Sequence, residues 1–194
     1  QFCFRPSLFG LDEEKTKLNR LSWNQRTPKQ QIYSKSEETM FQIKNAHAHC
    51  DIPCKIYDPA VSLVAALSVV RLTDILLEID DLSSLDSQSK LARVVVQKED
   101  EAQKVKDEVN IIWGDYFKEP QLEAFPETHE IVHGIMRLGS KCKQEVSREA
   151  AEELLRELNR FVDIFWKTKD IETKTVIAPY PPALTMVVPV LESA

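Results

Sequence analysis

Glycine is scarce in this chain, at 4 of 194 residues. So few turn-permissive positions make a turn-rich all-β fold unexpected. Cysteine is as scarce. Cys3, Cys50, Cys54 and Cys142 are too few, in too long a chain, for a disulfide framework. No apolar run approaches the roughly 20 residues that cross a bilayer. The longest extends from Pro59 to Val70, with Arg71 and Asp74 after it, so no membrane partner is expected. Residues 1–39 carry no clear apolar h-region, and no secretory signal is visible. Excess positive charge is missing too: the formal net charge is −6, which argues against nucleic acid as a partner.

What the chain has in quantity is charge, 29% of residues, beside a hydrophobic share of 43%. That is the composition of a soluble globular domain, and the length allows a sizeable core. The charge is uneven. Residues 1–48 carry 8 basic and 5 acidic side chains; the rest carries 17 and 26. A basic leader ahead of an acidic body marks a boundary. The leader has no sustained hydrophobic period and is expected to be largely disordered. The chain begins with Gln1, and Met40, nine residues before His49, is a candidate start. A cytoplasmic location is expected, with organelle targeting by the leader as the alternative. Asp12, Glu13 and Glu14 are atypical of a transit peptide.

Four helical stretches follow the leader. The first is expected over Ala60–Ile79, then a polar linker over Asp80–Ser89. The second is expected over Lys90–Tyr116, where Leu91, Val94, Val95, Ala102, Val105, Val109, Ile112 and Trp113 form an apolar stripe. Lys98 breaks that stripe. After a connection from Lys118 to Pro126 come a third helix over Glu127–Lys143 and a fourth over Ser147–Lys167. Prolines 179, 181, 182 and 189 keep the tail from being helical throughout, and it is expected outside the core. Amphipathic helices with short connections predict an all-α, antiparallel four-helix bundle. The domains read as a leader over 1–48, the bundle with its preceding hook over 49–169, and a Pro-rich tail over 170–194.

The hook is His49-Cys50-Asp51-Ile52-Pro53-Cys54. Two thiolates at this spacing can close a small ring on one metal, and the intervening proline stiffens it. Thiolate with nitrogen in a planar arrangement suits Ni(II) or Cu(II), whereas zinc asks for further Cys or His side chains. Only His49, with His47 nearby, is at hand. Spacing alone leaves a metal site and an incidental cysteine pair both open.

The longer run His49 to Ala60 resembles the nickel superoxide dismutase motif H-C-D-x-P-C-x-x-Y-D-P-A at nine specified positions. Trp113-Gly114-Asp115-Tyr116-Phe117-Lys118-x-Pro120 resembles the family's W-x-D-Y-F-K-x-P. Phe125-Pro126-Glu127-x-His129 resembles its aromatic-P-E-x-H, and Phe165-Trp166-x-Thr168-Lys169 its F-W-x-T-K. The resemblance implies a four-helix bundle assembled as a homohexamer, with one nickel ion per chain and superoxide anion as substrate. It implies a maturation protease cutting between Ala48 and His49. Nickel would bind the freed amine of His49, the amide nitrogen of Cys50 and the thiolates of Cys50 and Cys54, with the His49 imidazole axial in the oxidised state. Tyr57 would stand over the open face with Tyr116 behind it. Asp51 and Pro53 would shape the hook and the anion pocket, and Lys118 is the candidate steering charge. An acid and an Arg that usually support the histidine are replaced here by Ala65 and Glu101, and Lys55 stands where a small residue is usual.

Two other readings compete. His129-Glu130-Ile131-Val132-His133 fits the zinc-peptidase pattern H-E-x-x-H, with Glu130 as base. Alternatively, the bundle is a non-catalytic interaction protein. Trp113, Phe165 and Trp166 are expected in the core, and Cys142 as a surface or partly buried free thiol.

Overall fold

The apolar periods close on one another as four long helices. The computed structural model describes residues 55–192. The hook residues His49, Cys50, Asp51, Pro53 and Cys54, and the Ala48–His49 junction, lie outside the described residues. Helix α1 spans Ala60–Leu77, α2 Leu85–Ile111, a short α3 Glu119–Ala124, α4 Thr128–Gln144 and α5 Arg148–Lys167. Each long helix packs on two others: α1 on α2 and α5, and α4 on α2 and α5. Consecutive helices are neighbours, which is the antiparallel bundle that the sequence predicts.

Pro59 precedes the first residue of α1, Ala60, whose N–H donates to Asp58 Oδ1 at 2.8 Å. Its apolar residues run nearly all round. Leu63, Ala66, Leu67, Val69 and Val70 are buried, while Val61 and Val64 are exposed. By length and composition α1 as a whole could cross a membrane, although the shorter run read from the sequence could not. Here its inner face is part of the bundle core. Ser62 and Thr73, also buried, donate back to Pro59 O and Val69 O at 2.7 and 2.8 Å, so no hydroxyl is left unpaired.

Helix α2 begins at Leu85, earlier than the expected Lys90. The serines read as linker are its cap: Ser84 Oγ accepts from Ser87 N at 3.0 Å, and Asp86 lies in the first turn. Lys98 does not merely interrupt the stripe. It is buried and reaches the end of α4, where it donates to Glu145 O at 2.9 Å. At its C-terminus α2 runs into a π-helical turn, Ile112–Tyr116, closed by Phe117 N donating to Ile112 O five residues back. The expected connection after it contains α3.

Helices α4 and α5 carry the most regular apolar faces. On α4, Ile131, Val132, Ile135 and Cys142 are buried; on α5, Leu154, Leu158, Phe161 and Phe165 are. Burial of each such Leu, Ile or Phe is worth roughly 1.5–3 kcal/mol. Ser147 caps α5 by accepting from Ala150 N at 3.2 Å. Gly139 of α4 lies so close to α2 that a Cβ there would sit 2.8 Å from Lys106 Cγ. Cys142 is 2% exposed, not the surface or partly buried thiol expected, because it faces inward on the same stripe as Ile135.

The tail departs most from expectation. It folds back as an antiparallel hairpin of β1, Thr173–Ile177, and β2, Thr185–Pro189, with Thr175 opposite Val187. Ala178 is buried, and Ile171, Leu184, Met186 and Val187 pack against the core. Asn159 of α5 holds β2 by donating to Thr185 O at 3.1 Å and accepting from Val187 N at 2.7 Å. Three prolines fall in the loop and Pro189 ends β2. They exclude helix, as read, but suit a turn and a strand edge.

Candidate metal centre

Of the residues expected around the metal, the structure describes Tyr57, Tyr116 and Lys118. Lys55, just after the hook, has a φ of 58°. That left-handed conformation favours glycine and costs a lysine about 1 kcal/mol. Tyr57 follows on the irregular segment that leads into α1. Tyr116 is brought inward by the π-helical turn, a widened turn of a kind that recurs at functional sites.

The two tyrosines meet. Their ring centroids are 5.7 Å apart, with planes inclined at 51°. Tyr116 is fixed on its other sides by Phe165 at 5.0 Å and by Phe117 edge-on at 5.3 Å. Its hydroxyl lies 2.7 Å from Thr168 Oγ1, which donates to Phe165 O at 2.6 Å. The Lys169 ammonium sits 4.9 Å from the Tyr116 ring centroid and 5.1 Å from that of Phe165. The chain ends of α2 and α5 therefore converge on one aromatic cluster beside the residues that follow the hook.

Lys118 is exposed, and its ammonium donates to Gly114 O at 3.0 Å across the end of the π-helical turn. The cation in contact with Tyr116 is instead Lys169. Sequence reasoning missed Thr168 and Lys169 as site residues, although both stand in the matched segment Phe165–Lys169. Their placement depends on α5 ending beside the π-helical turn, which no local pattern states.

Ala65 is buried in the α1 face of the core. Glu101 is engaged on its own helix, accepting from Lys104 at 3.1 Å and from Gln97 at 3.0 Å.

The H-E-x-x-H residues do not form a zinc site. Trp113 Nε1 donates to His129 Nδ1 at 3.1 Å, with the rings edge to face at 87°. An indole can only donate, so a neutral His129 carries its own proton on Nε2 and has no free lone pair for a metal. His133 lines an open groove of mixed charge, with Glu130, Glu153 and Glu157 beside Arg137, Lys141 and Arg160. Among the described residues no group of three or more His, Cys, Asp or Glu could hold a metal ion. Trp113 is only half-buried, and it serves this contact at the edge of the core rather than the core itself.

The nickel superoxide dismutases of Streptomyces seoulensis and Streptomyces coelicolor are each 34% identical to this chain over 122 residues, covering 63% of it and 88% of theirs. A native nickel superoxide dismutase structure aligns with a TM-score of 0.57 at 33% identity, over 63% of this chain and 99% of that one. The α-helical bundle is common to both, and the β-hairpin lies beyond the family match, which covers residues 44–169 under the description nickel-containing superoxide dismutase. A match over that span, from ahead of the hook to Lys169, places this chain in the nickel-containing superoxide dismutase family.

Proposed function

We propose that this chain converts two superoxide anions and two protons into oxygen and hydrogen peroxide, using one nickel ion held by the hook. The observation that carries this reading is the extent of the family match. It begins at residue 44 and ends at 169, so the hook, both tyrosines, Thr168 and Lys169 all fall within it.

The donor set fits the ion. Cys50 and Cys54 offer two soft thiolates, and His49 offers an imidazole and, after the cut behind Ala48, a primary amine. When bound, nickel supplies one-electron cycling, because electron-rich sulfur and nitrogen donors bring its trivalent state within reach. The ligands must be deprotonated to bind, and a free thiol has a pKa of about 8.5, so loading releases protons. Before cleavage the His49 nitrogen is part of a peptide bond to Ala48 and offers no amine lone pair. A maturation protease is therefore part of this reading.

The roles of the remaining residues follow from their chemistry. Asp51 and Pro53 shape the hook. Tyr57 and Tyr116, one against the other, narrow the approach and order water there. A narrow approach protects thiolates that face superoxide and peroxide from oxidation. Lys169, and Lys118 beyond it, give an anion a local positive field on a chain whose net charge is −6. A homohexamer belongs to the same reading, and the exposed Val61 and Val64 of α1 give such an assembly apolar surface to cover.

The test is metal content and superoxide dismutation on a chain that begins at His49 and is loaded with nickel. Near-stoichiometric nickel with activity, and loss of activity when one residue precedes His49, is the expected result. Full activity of Cys50→Ser or Cys54→Ser would overturn the reading.

A further inference from the structure

Behind the tyrosine pair runs a short row of hydrogen bonds whose direction is fixed by chemistry. Thr168 Oγ1 is 2.6 Å from Phe165 O and 2.7 Å from the Tyr116 hydroxyl oxygen. A carbonyl only accepts, so the single hydroxyl proton of Thr168 goes to Phe165. Toward Tyr116, Thr168 then presents lone pairs alone. The contact can be a hydrogen bond only if the Tyr116 phenol donates its proton to Thr168. That phenol has one proton, so every further contact of its oxygen must be one in which it accepts.

We propose that Thr168 is a positioning residue that makes Tyr116 a hydrogen-bond acceptor toward the candidate site. The proposal rests on the superoxide reading and divides its labour. Superoxide is an anion without a proton to give, and it gains nothing from an oxygen that presents lone pairs. Water and hydrogen peroxide carry protons and can donate to Tyr116. Tyr116 is thereby suited to the solvent that delivers protons and to the product that carries them away, not to the incoming anion.

The surroundings keep this orientation in place. The Tyr116 ring is held by Phe165 and Phe117, with the Lys169 ammonium 4.9 Å from its centroid. Thr168 itself terminates α5, its N–H donating to Ile164 O at 3.0 Å, so its hydroxyl is carried on a regular helix end. The donation to a carbonyl three residues back is a local bond, made whether or not Tyr116 is present.

The experiment uses the full chain, with and without nickel. The tyrosine Raman Fermi doublet reports whether a phenol donates or accepts, and a difference spectrum against Tyr116→Phe isolates the one residue. In nickel-free wild type, Tyr116 is expected to show a donor signature. Thr168→Val keeps the shape and should lose that signature, and Thr168→Ser should restore it. In nickel-loaded protein, Thr168→Val should hold as much nickel as wild type yet turn over about two- to tenfold more slowly, the worth of one neutral hydrogen bond, with Thr168→Ser close to wild type. An acceptor-only signature in wild type, or a Thr168→Val protein with unchanged doublet, would overturn the proposal, as would a serine variant no better than valine. The wild-type difference spectrum decides the orientation even if the valine variant does not fold. Nickel-loaded wild type without dismutation would count against the superoxide reading, while the nickel-free doublet would still decide the role of Thr168.

Discussion

The ammonium of Lys98 donates to the main-chain carbonyl of Cys142, across the bundle from the middle of α2 to the last turn of α4. The same ammonium reaches Glu145 O at 2.9 Å. A helix leaves its last four carbonyls without intrahelical partners, and its C-terminal end carries partial negative charge. Lys98 meets both needs from a side chain only 2% exposed. Its stem fills the core while its head caps a neighbouring helix.

Lys98→Met preserves the stem and removes the donors. We expect a loss of about 1–3 kcal/mol, since hydrogen bonds to a charged group are broken and a buried carbonyl is left unpaired. Urea denaturation reads this as a lower midpoint at unchanged slope. An unchanged midpoint would mean that water caps α4 equally well.

Cys142 stands on the same contact. Burial pushes its thiol up to about 11, against the opposing pull of the Lys98 and Lys141 charges. At pH 8 only about one thiol in a thousand would be thiolate, and thiolate is the reactive form. Alkylation of native protein at pH 8 should therefore spare Cys142, and denaturation should expose it. Peptide mass mapping after labelling checks this, and rapid native labelling would contradict the burial.

These contacts show what the sequence could and could not tell. The bundle was legible because its signals are periodic: the apolar faces of α4 and α5 recur at three- and four-residue steps. The hook is a reading of contiguous donors alone, and it lies outside the described residues. Lys98 read as a flaw in a stripe, because hydropathy scores the charged head and ignores where a long side chain can carry it. The serines before α2 read as linker because serine is both a loop residue and a cap. The prolines correctly excluded helix from the tail but could not show that Asn159 and Asp163, on α5, offer the hairpin a place to dock. The resemblance already set Tyr116 behind Tyr57, but Thr168 and Lys169 join them from a third, distant segment, and only the fold brings that segment in.

The hairpin should respond to acid through Asp163. Burial raises the Asp163 carboxyl, but hydrogen bonds from Lys167 and Thr173, with the Lys167 charge, outweigh it and hold the group below its ordinary 3.8. A carboxylate with a lowered folded-state pKa stabilises the fold above its unfolded value, and that contribution disappears as pH falls through the folded value. Docking of β1, where Thr173 Oγ1 donates to Asp163 Oδ1 at 2.5 Å, should therefore loosen below pH 3.8. Methyl NMR signals of Val176 and Met186 followed through an acid titration test this. Asp163→Asn should remove the transition, and a transition that persists in that variant would assign it elsewhere.

Asn159 supplies both hydrogen bonds from α5 to the outer edge of β2, so Asn159→Ala frees Thr185 O and Val187 N together. Each group left unpaired costs about 1–3 kcal/mol where water cannot reach it. Limited proteolysis should then cut within residues 171–192 while the bundle stays intact. Resistance equal to wild type would show that the packing of Ala178, Leu184 and Met186 is enough to hold the hairpin.

Under the proposed function Lys118 and Lys169 are both candidates to steer superoxide, and their contacts separate them. The Lys118 ammonium is directed at Gly114 O, within the π-helical turn, where it offsets a carbonyl dipole and stays exposed to solvent. The Lys169 ammonium lies against the Tyr116 and Phe165 rings, where it is less screened by water and close to the approach proposed for the anion. Steering by a fixed local charge raises the association rate and weakens as salt screens it, over a Debye length of about 8 Å at physiological ionic strength. Lys169→Met should lower kcat/KM for superoxide about threefold or more and flatten its dependence on ionic strength, at unchanged nickel content. Lys118→Met should do less of both. The check is dismutation measured across a salt series for the two variants side by side. If Lys118→Met flattens the salt profile and Lys169→Met does not, the anion enters along the exposed side of the π-helical turn, and the Lys169 contact serves only to brace the Tyr116 ring.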